Sequence, residues 1–221
     1  MRLWEQLGIE KGVTAVIGSG GKTTMLHVLA RELCQKGTVI LTTSTHIRPS
    51  EEFPCLVSPA EAEVRIALQA APAICIGSRT GEGKFTACDL SFETLAGLAD
   101  YVLVEADGSK WLPLKAHAPH EPVIPANAGK TVCVVGACGL GRPIREAVHR
   151  PELFCAMTGA SPEEAATPER VARVLNREAL ADMFYVNQCD LPEAALLGAQ
   201  LAALLERPAI CGSLRPQAME N

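Results

Sequence analysis

Aromatic residues are scarce, at 4% of 221. A surface that stacks single-stranded nucleic acid needs several rings, so this composition argues against such a binder. Positive charge is not in excess either. Twenty Lys and Arg stand against 25 Asp and Glu, for a net charge of −5. A general nucleic-acid binder is expected to carry a basic balance instead. No run of about 18 apolar residues could span a membrane, and no signal-peptide pattern opens the chain. The expectation is a cytoplasmic protein with neither membrane nor nucleic acid as partner. Internal repeats and low-complexity segments are lacking, which excludes solenoids and disordered arrays. No C-x-x-C pair occurs among the nine cysteines. The closest two, Cys133 and Cys138, have a spacing that suits no common zinc ribbon. Reduced, mostly buried thiols that pack as small hydrophobes are expected, with a thiol role in metal or selenium handling as the alternative.

What is present is apolar bulk. Hydrophobic residues reach 48% and charged residues 20%, enough for a well-filled core. Short apolar runs at residues 13–17, 38–42, 73–76, 101–104, 131–135, 183–186 and 209–211 read as strands. Helical patterns fall between them at residues 22–35, 59–71, 91–98 and 192–206. The strands lack polar alternation, as in a parallel sheet covered on both faces. This predicts an α/β fold, with a mainly parallel sheet and helices on both faces. A single domain over residues 1–221 is expected, with a small helical insertion at about residues 140–180. Residues 78–84 read as a hairpin tip. Residues 108–129 form a long, proline-rich, irregular stretch of the kind that is usually functional.

Residues 16–25, VIGSGGKTTM, follow the first strand and open the first long helix. A strand, a glycine loop and Lys-Thr at a helix start make a phosphate cradle. Glycines let backbone N–H groups turn toward phosphate oxygens. The helix N-terminus adds partial positive charge. Gly18, Ser19, Gly20, Gly21, Lys22, Thr23 and Thr24 are the candidate contacts. Lys22 would reach the β- and γ-phosphates and Thr23 would ligate Mg²⁺. The spacing departs from the common G-x-x-x-x-G-K-[ST], because Val16 stands six positions before Lys22. The shorter G-S-G-G-K-T-T resembles the loop of Mur-type ATP-dependent ligases.

Two strand ends supply further candidates. LTTSTHI, residues 41–47, ends the second strand in hydroxyls, a position close to the phosphates in nucleotide-binding sheets. Thr45 is a candidate for the Mg²⁺ shell, and His46 for a phosphate or substrate contact. YVLVEADGSK, residues 101–110, ends an apolar strand in Glu105 and Asp107, where rigid backbone can hold charge beside Mg²⁺. Two residues apart, both carboxylates point the same way if the strand continues through them. One would hold the metal and the other would orient a water or a second substrate.

GSGGKTT, TTSTHI, VEADGSKWLPLKAHAPHEPVIP, GRPIREAVHRPE and FYVNQCD together resemble the selenium-dependent hydroxylase accessory proteins. The resemblance runs from residue 18 to residue 190, and the long EADGSK…EPVIP string is specific to that family. It implies a cytoplasmic P-loop protein that accompanies selenium-dependent molybdenum hydroxylases and helps mature their selenium- or molybdenum-containing centre. The family motifs fall on the loop residues above, omitting Ser19. They continue on Glu105, Asp107, Gly108, Ser109 and Lys110; on Lys115, His120, Glu121 and Pro122; and on His149, Arg150, Pro151 and Glu152.

The remaining polar clusters extend the candidate site. Lys110 and Lys115 are candidates for phosphate or a second anion. His117 and His120, three apart on a loop, are weak metal candidates. Arg150 would clamp phosphate, act as an arginine finger in cis, or cap a helix in an ion pair. Asn187-Gln-Cys-Asp190 is similar to the N-K-x-D base-reading motif of GTPases, with Gln188 in place of the Lys; Asn187 and Asp190 are the candidate base contacts. The expectation is a Mg²⁺-dependent protein for ATP or GTP, an NTPase partnered with a molybdenum hydroxylase or its other maturation factors. Two alternatives stay open: an ATP-dependent ligase or kinase acting on a small acceptor, and a module that holds nucleotide or molybdenum cofactor without cleaving it.

Overall fold

The computed structural model describes residues 1–81 and 83–214. Cα packing divides the chain into two compact units.

The first unit comprises Met1–Ile17, Met25–Gly108 and His120–Thr131. It begins with α1 (Leu3–Leu7) and β1 (Gly12–Gly18). The helix α2 (Lys22–Leu33) follows, then β2 (Val39–Thr43), β3 (His46–Ile47) and β4 (Cys55–Val57). After α3 (Glu61–Ala70) come β5 (Ala73–Arg79), β6 (Phe85–Thr86), α4 (Phe92–Leu98) and β7 (Tyr101–Glu105). Strands β1, β7, β2 and β5 lie side by side and parallel, with β4 also parallel to β5. Strand β5 pairs antiparallel with β6, and β6 antiparallel with β3; the hairpin tip expected at residues 78–84 includes residue 82, which lies outside the described residues. Every residue of β2 and β7 is buried. That is why these strands read as unbroken apolar runs rather than alternating ones. Helix α2 buries Met25, Leu26, Leu29, Ala30 and Leu33 completely, the periodicity of one helical face. Each such large side chain contributes about 1.5–3 kcal/mol relative to leaving it in water.

The second unit comprises Gly18–Thr24, Ser109–Pro119 and the described residues from Val132. Its elements are β8 (Leu114–Lys115), β9 (Ala128–Gly136, from Val132 in this unit) and α5 (Ile144–Ala147). Then come β10 (Val148–His149), α6 (Pro151–Thr158), α7 (Pro168–Glu178), β11 (Met183–Asn187), α8 (Pro192–Leu204) and β12 (Ala209–Cys211). Strand β11 lies between β9 and β12, parallel to both. The short β8 and β10 pair separately, which sets Lys115 opposite His149. Helix α7 starts where its sequence directs. Thr167 accepts a hydrogen bond from Arg170 N, Pro168 fills the first turn, and Val171, Ala172, Val174 and Leu175 form the buried face.

The elements are those of an α/β protein with mostly parallel strands, as expected. One helix falls outside the expected elements, α1. Helix α6 lies within the helical stretch expected at about residues 140–180, with Pro151 at its start and Gly159 at its left-handed end. The cysteines differ from expectation. Of the nine, only Cys75 and Cys133 are buried, while Cys55, Cys138 and Cys211 are exposed. Cys55 starts β4 and Cys211 ends β12, while Cys138 is the middle residue of the short 3-10 turn Ala137–Gly139. None of the nine forms a disulfide.

Candidate functional site

The loop at residues 18–24 is built from close approaches within the second unit. Gly20 and Gly21 have φ of 88° and 129°, values that L side chains rarely adopt. A Cβ on Gly20 would lie 2.5 Å from Gly136 N and Cα, and one on Gly21 would lie 2.5 Å from Asn187 Nδ2. Glycine is therefore needed twice over at each position. Ser19 is buried; its N–H donates to Val134 O at 2.8 Å, and its hydroxyl donates to Leu112 O. Lys22 is only 4% exposed. Its ammonium donates to Gly18 O at 2.8 Å and reaches Ser109 Oγ at 3.4 Å. Thr23 is half-buried and Thr24 exposed in the first turn of α2, where backbone N–H groups have no intrahelical acceptor.

Asn187 locks this loop from β11. Its Nδ2 donates to Gly20 O at 2.7 Å, and its Oδ1 accepts from Leu214 N at 3.0 Å. The residue is 4% exposed, so its amide is committed to the loop. The base contact expected there is not what the side chain does. The neighbouring residues differ in role. Gln188 has φ of 64° and accepts from Cys138 Sγ at 2.9 Å. Asp190 Oδ1 accepts from the Ser213 hydroxyl. Helix α8 has Leu191, not Asp190, as its N-cap, which leaves the Asp190 carboxylate out of helix capping. Burial is the main reason the Cys189 thiol is pushed up to about 11, which makes it a poor nucleophile at neutral pH.

Elsewhere in the second unit, the expected phosphate and anion residues take distinct positions. Lys110 is exposed in a left-handed conformation beside Trp111. Lys115 is buried. Arg150 forms the left-handed N-cap of α6, with φ of 65°. The His117 ring is held by Glu178: Nδ1 lies 2.7 Å from Oε2, and His117 N donates to Oε1 at 2.7 Å. His120 is exposed. Among the described residues, no group of three or more His, Cys, Asp or Glu has the arrangement of a metal site.

In the first unit, β7 ends at Glu105. Beyond that end Ala106 N still donates to Val16 O of β1 at 3.0 Å. Glu105 and Asp107 are both buried, at 8% and 0% exposure. The hydroxyl-rich end of β2 braces this strand end: Thr43 Oγ1 donates to Glu105 O at 2.7 Å, and Ser44 N donates to it at 3.2 Å. Thr45 Oγ1 is buried with no hydrogen-bond partner among the described residues. Such an orphaned hydroxyl is costly unless a ligand or water satisfies it. Thr45, Glu105 and Asp107 thus offer hard oxygen donors of the kind Mg²⁺ takes. His46 is exposed and paired through β3 with Thr86.

A parallel α/β arrangement with a strand, a glycine loop and a Lys-Thr helix start defines a P-loop NTPase-like protein, a class whose loop suggests nucleotide binding. The chain belongs to the YqeC family, whose model matches residues 14–152. It is 35% identical over 167 residues to the uncharacterized protein YqeC of Escherichia coli, an alignment covering 71% of this chain and 65% of that protein. The chain thus spans about 65% of the length of that relative. Among solved structures, it is similar to the signal recognition particle 54 kDa protein of Aeropyrum pernix, crystallised with GDP. That match has 15% identity and a TM-score of 0.42, and covers 93% of this chain and 42% of the other.

Proposed function

We propose that this chain binds a Mg²⁺-nucleoside triphosphate and hydrolyses it, as an accessory or maturation factor for a selenium-dependent molybdenum hydroxylase. The observation that carries the triphosphate reading is the loop itself. Gly20 and Gly21 sit where no side chain fits, Lys22 is folded over the loop, and Asn187 pins Gly20 from behind. A loop held this way presents its N–H groups without reorganisation when an anion arrives, and such preorganisation favours binding.

Lys22 exchanges its contact with Gly18 O for phosphate oxygens and neutralises their charge. Backbone N–H groups of residues 20–24 hold the phosphates, while Lys110 and Arg150 are further cations assigned to anionic oxygens. Thr23, Thr45, Glu105 and Asp107 are the oxygen donors assigned to Mg²⁺, which when bound would neutralise phosphate charge. One of the two carboxylates orients the attacking water. The hydroxylase as client rests on the motifs at residues 105–122 and 149–152.

Phosphate release from MgATP and MgGTP tests the reaction. The wild type should turn over, and Glu105→Gln or Asp107→Asn should slow release on the order of 10²-fold while binding persists. Binding without release, with the molybdenum hydroxylase present or absent, would overturn hydrolysis in favour of a holding module. ADP or AMP formed only with an acceptor would point to a kinase or ligase.

A further inference from the structure

Cys55 and Cys75 stand opposite each other in the first unit. Strands β4 and β5 pair in parallel, and their register sets Cys55 against Cys75, Leu56 against Ile76 and Val57 against Gly77. Register partners on neighbouring strands lie about 4.7–4.9 Å apart and send their side chains to the same face of the sheet. A disulfide needs a Cα separation of about 4.4–6.8 Å, so this pairing meets its main geometric condition. The flanking residues agree on the face. Leu56, Ile74 and Ile76 pack in one apolar cluster with Val64, Leu68 and Leu95, which turns Cys55 and Cys75 to the opposite face. There both thiols meet the same residue. Cys55 Sγ donates to Ser50 O at 3.3 Å, and Cys75 is hydrogen-bonded to the Ser50 backbone and to the Cys55 thiol. Their access to solvent differs: Cys55 is exposed, whereas Cys75 is only 1% exposed.

We propose that Cys55 and Cys75 form a reversible disulfide by exchange with a small disulfide such as oxidised glutathione, clasping β4 to β5. The exposed Cys55 reacts first. Its thiolate attacks one sulfur of glutathione disulfide, that S–S bond breaks, and one glutathione leaves as its thiolate. The Cys75 thiolate then attacks the Cys55 sulfur of the mixed disulfide, and the second glutathione leaves. Two protein thiols are oxidised, one glutathione disulfide is reduced to two thiols, and the two protons pass to the departing sulfurs. Burial pushes the Cys75 thiol up to about 12, which makes the second step the slow one. The bond closes a loop over residues 56–74 and fastens the segment just before β4. In that segment Glu52 pairs with Arg31 of α2 at 2.8 Å, and Phe53 meets the His27 ring edge-on with centroids 5.7 Å apart. Oxidation thus adds a covalent anchor beside the contact between this segment and α2.

Peptide mapping of the full chain tests this. The protein is equilibrated in mixtures of oxidised and reduced glutathione, remaining thiols are alkylated, and tryptic peptides are weighed. Arg65 lies between the two cysteines, and each resulting peptide holds one of them and no other cysteine. A Cys55–Cys75 bond therefore appears as two joined peptides, short of their sum by the two hydrogens lost. The wild type should show that pair when oxidised glutathione dominates and lose it when the reduced form is restored. Cys75→Ser should stop at a glutathione adduct on Cys55, and Cys55→Ser should leave Cys75 unmodified. The wild-type map decides by itself, so a variant that fails to fold leaves the test standing. A wild type in which Cys55 ends as a stable adduct while Cys75 stays a thiol overturns the inference. So does a wild type that links Cys189 to Cys211 with Cys55 and Cys75 both free, or one that forms no link at any ratio.

Discussion

Asn187 shows what single residues contribute and what a sequence conceals. Its two amide groups join Gly20 O to Leu214 N, so truncation leaves both backbone groups short of a partner in a buried place. Asn187→Ala should lower unfolding stability by about 1–3 kcal/mol. It should also weaken triphosphate binding, because Gly20 loses its brace. Denaturant unfolding read beside tripolyphosphate binding checks this; a variant with wild-type values for both would show that the clamp has no role. The loop residues were legible beforehand because their signal is local: glycine, lysine and threonine in register after an apolar strand. The job of Asn187 was not, because its partner Gly20 lies 167 positions away. Its motif resemblance pointed to the base, whereas the side chain holds the loop. The same distance problem hid the Glu178 hold on His117, 61 positions apart.

Asp100, between α4 and β7, shows how elements are joined. Its Oδ2 accepts from Thr38 N at 2.9 Å and from Thr38 Oγ1 at 3.2 Å, and Asp100 N in turn donates to Thr38 Oγ1 at 3.0 Å. Its backbone oxygen accepts from Gly12 N at 2.8 Å. One residue thus ties together the starts of β1, β2 and β7. The Lys11 ammonium at 2.7 Å, followed by the Thr38 N–H, holds the Asp100 carboxyl below the ordinary carboxylate value. A depressed native pKa contributes stability that is fully present above the unfolded value, about 3.9. That stability is lost as pH falls through the native value. Asp100→Asn should therefore be less stable than the wild type at pH 7 by about 1 kcal/mol, and the gap should close on acidification below about pH 4. Thermal melts from pH 7 to pH 3 would show it; a gap independent of pH would contradict the charge-based account. Strand positions were readable at this scale, because β2, β5 and β7 are apolar runs of strand length. Strand end points were less so. The run at residues 101–107 does not announce that β7 stops at Glu105.

At the scale of the whole molecule, parallel α/β elements with a glycine loop at the start of α2 suggest nucleotide binding. No helix among the described residues is long and apolar enough to cross a membrane. Family membership, the parallel α/β elements and the glycine loop agree with one another, which local signals and overall fold must do for a sequence to specify one structure. The partition of the chain into two units follows contacts between segments far apart in sequence, for which no composition shift prepares the reader. Client and reaction rest on motif resemblance, and the phosphate site rests on geometry.

That phosphate site is the central claim, and calorimetry of MgATP and MgGTP binding to the wild type and to Lys22→Ala tests it most directly. The wild type should bind at least one of them in the micromolar range, about −8 kcal/mol, and Lys22→Ala should lose that binding by tenfold or more, the scale of one charge-assisted contact. Equal affinity in the two proteins, or no heat with either triphosphate, would contradict the account.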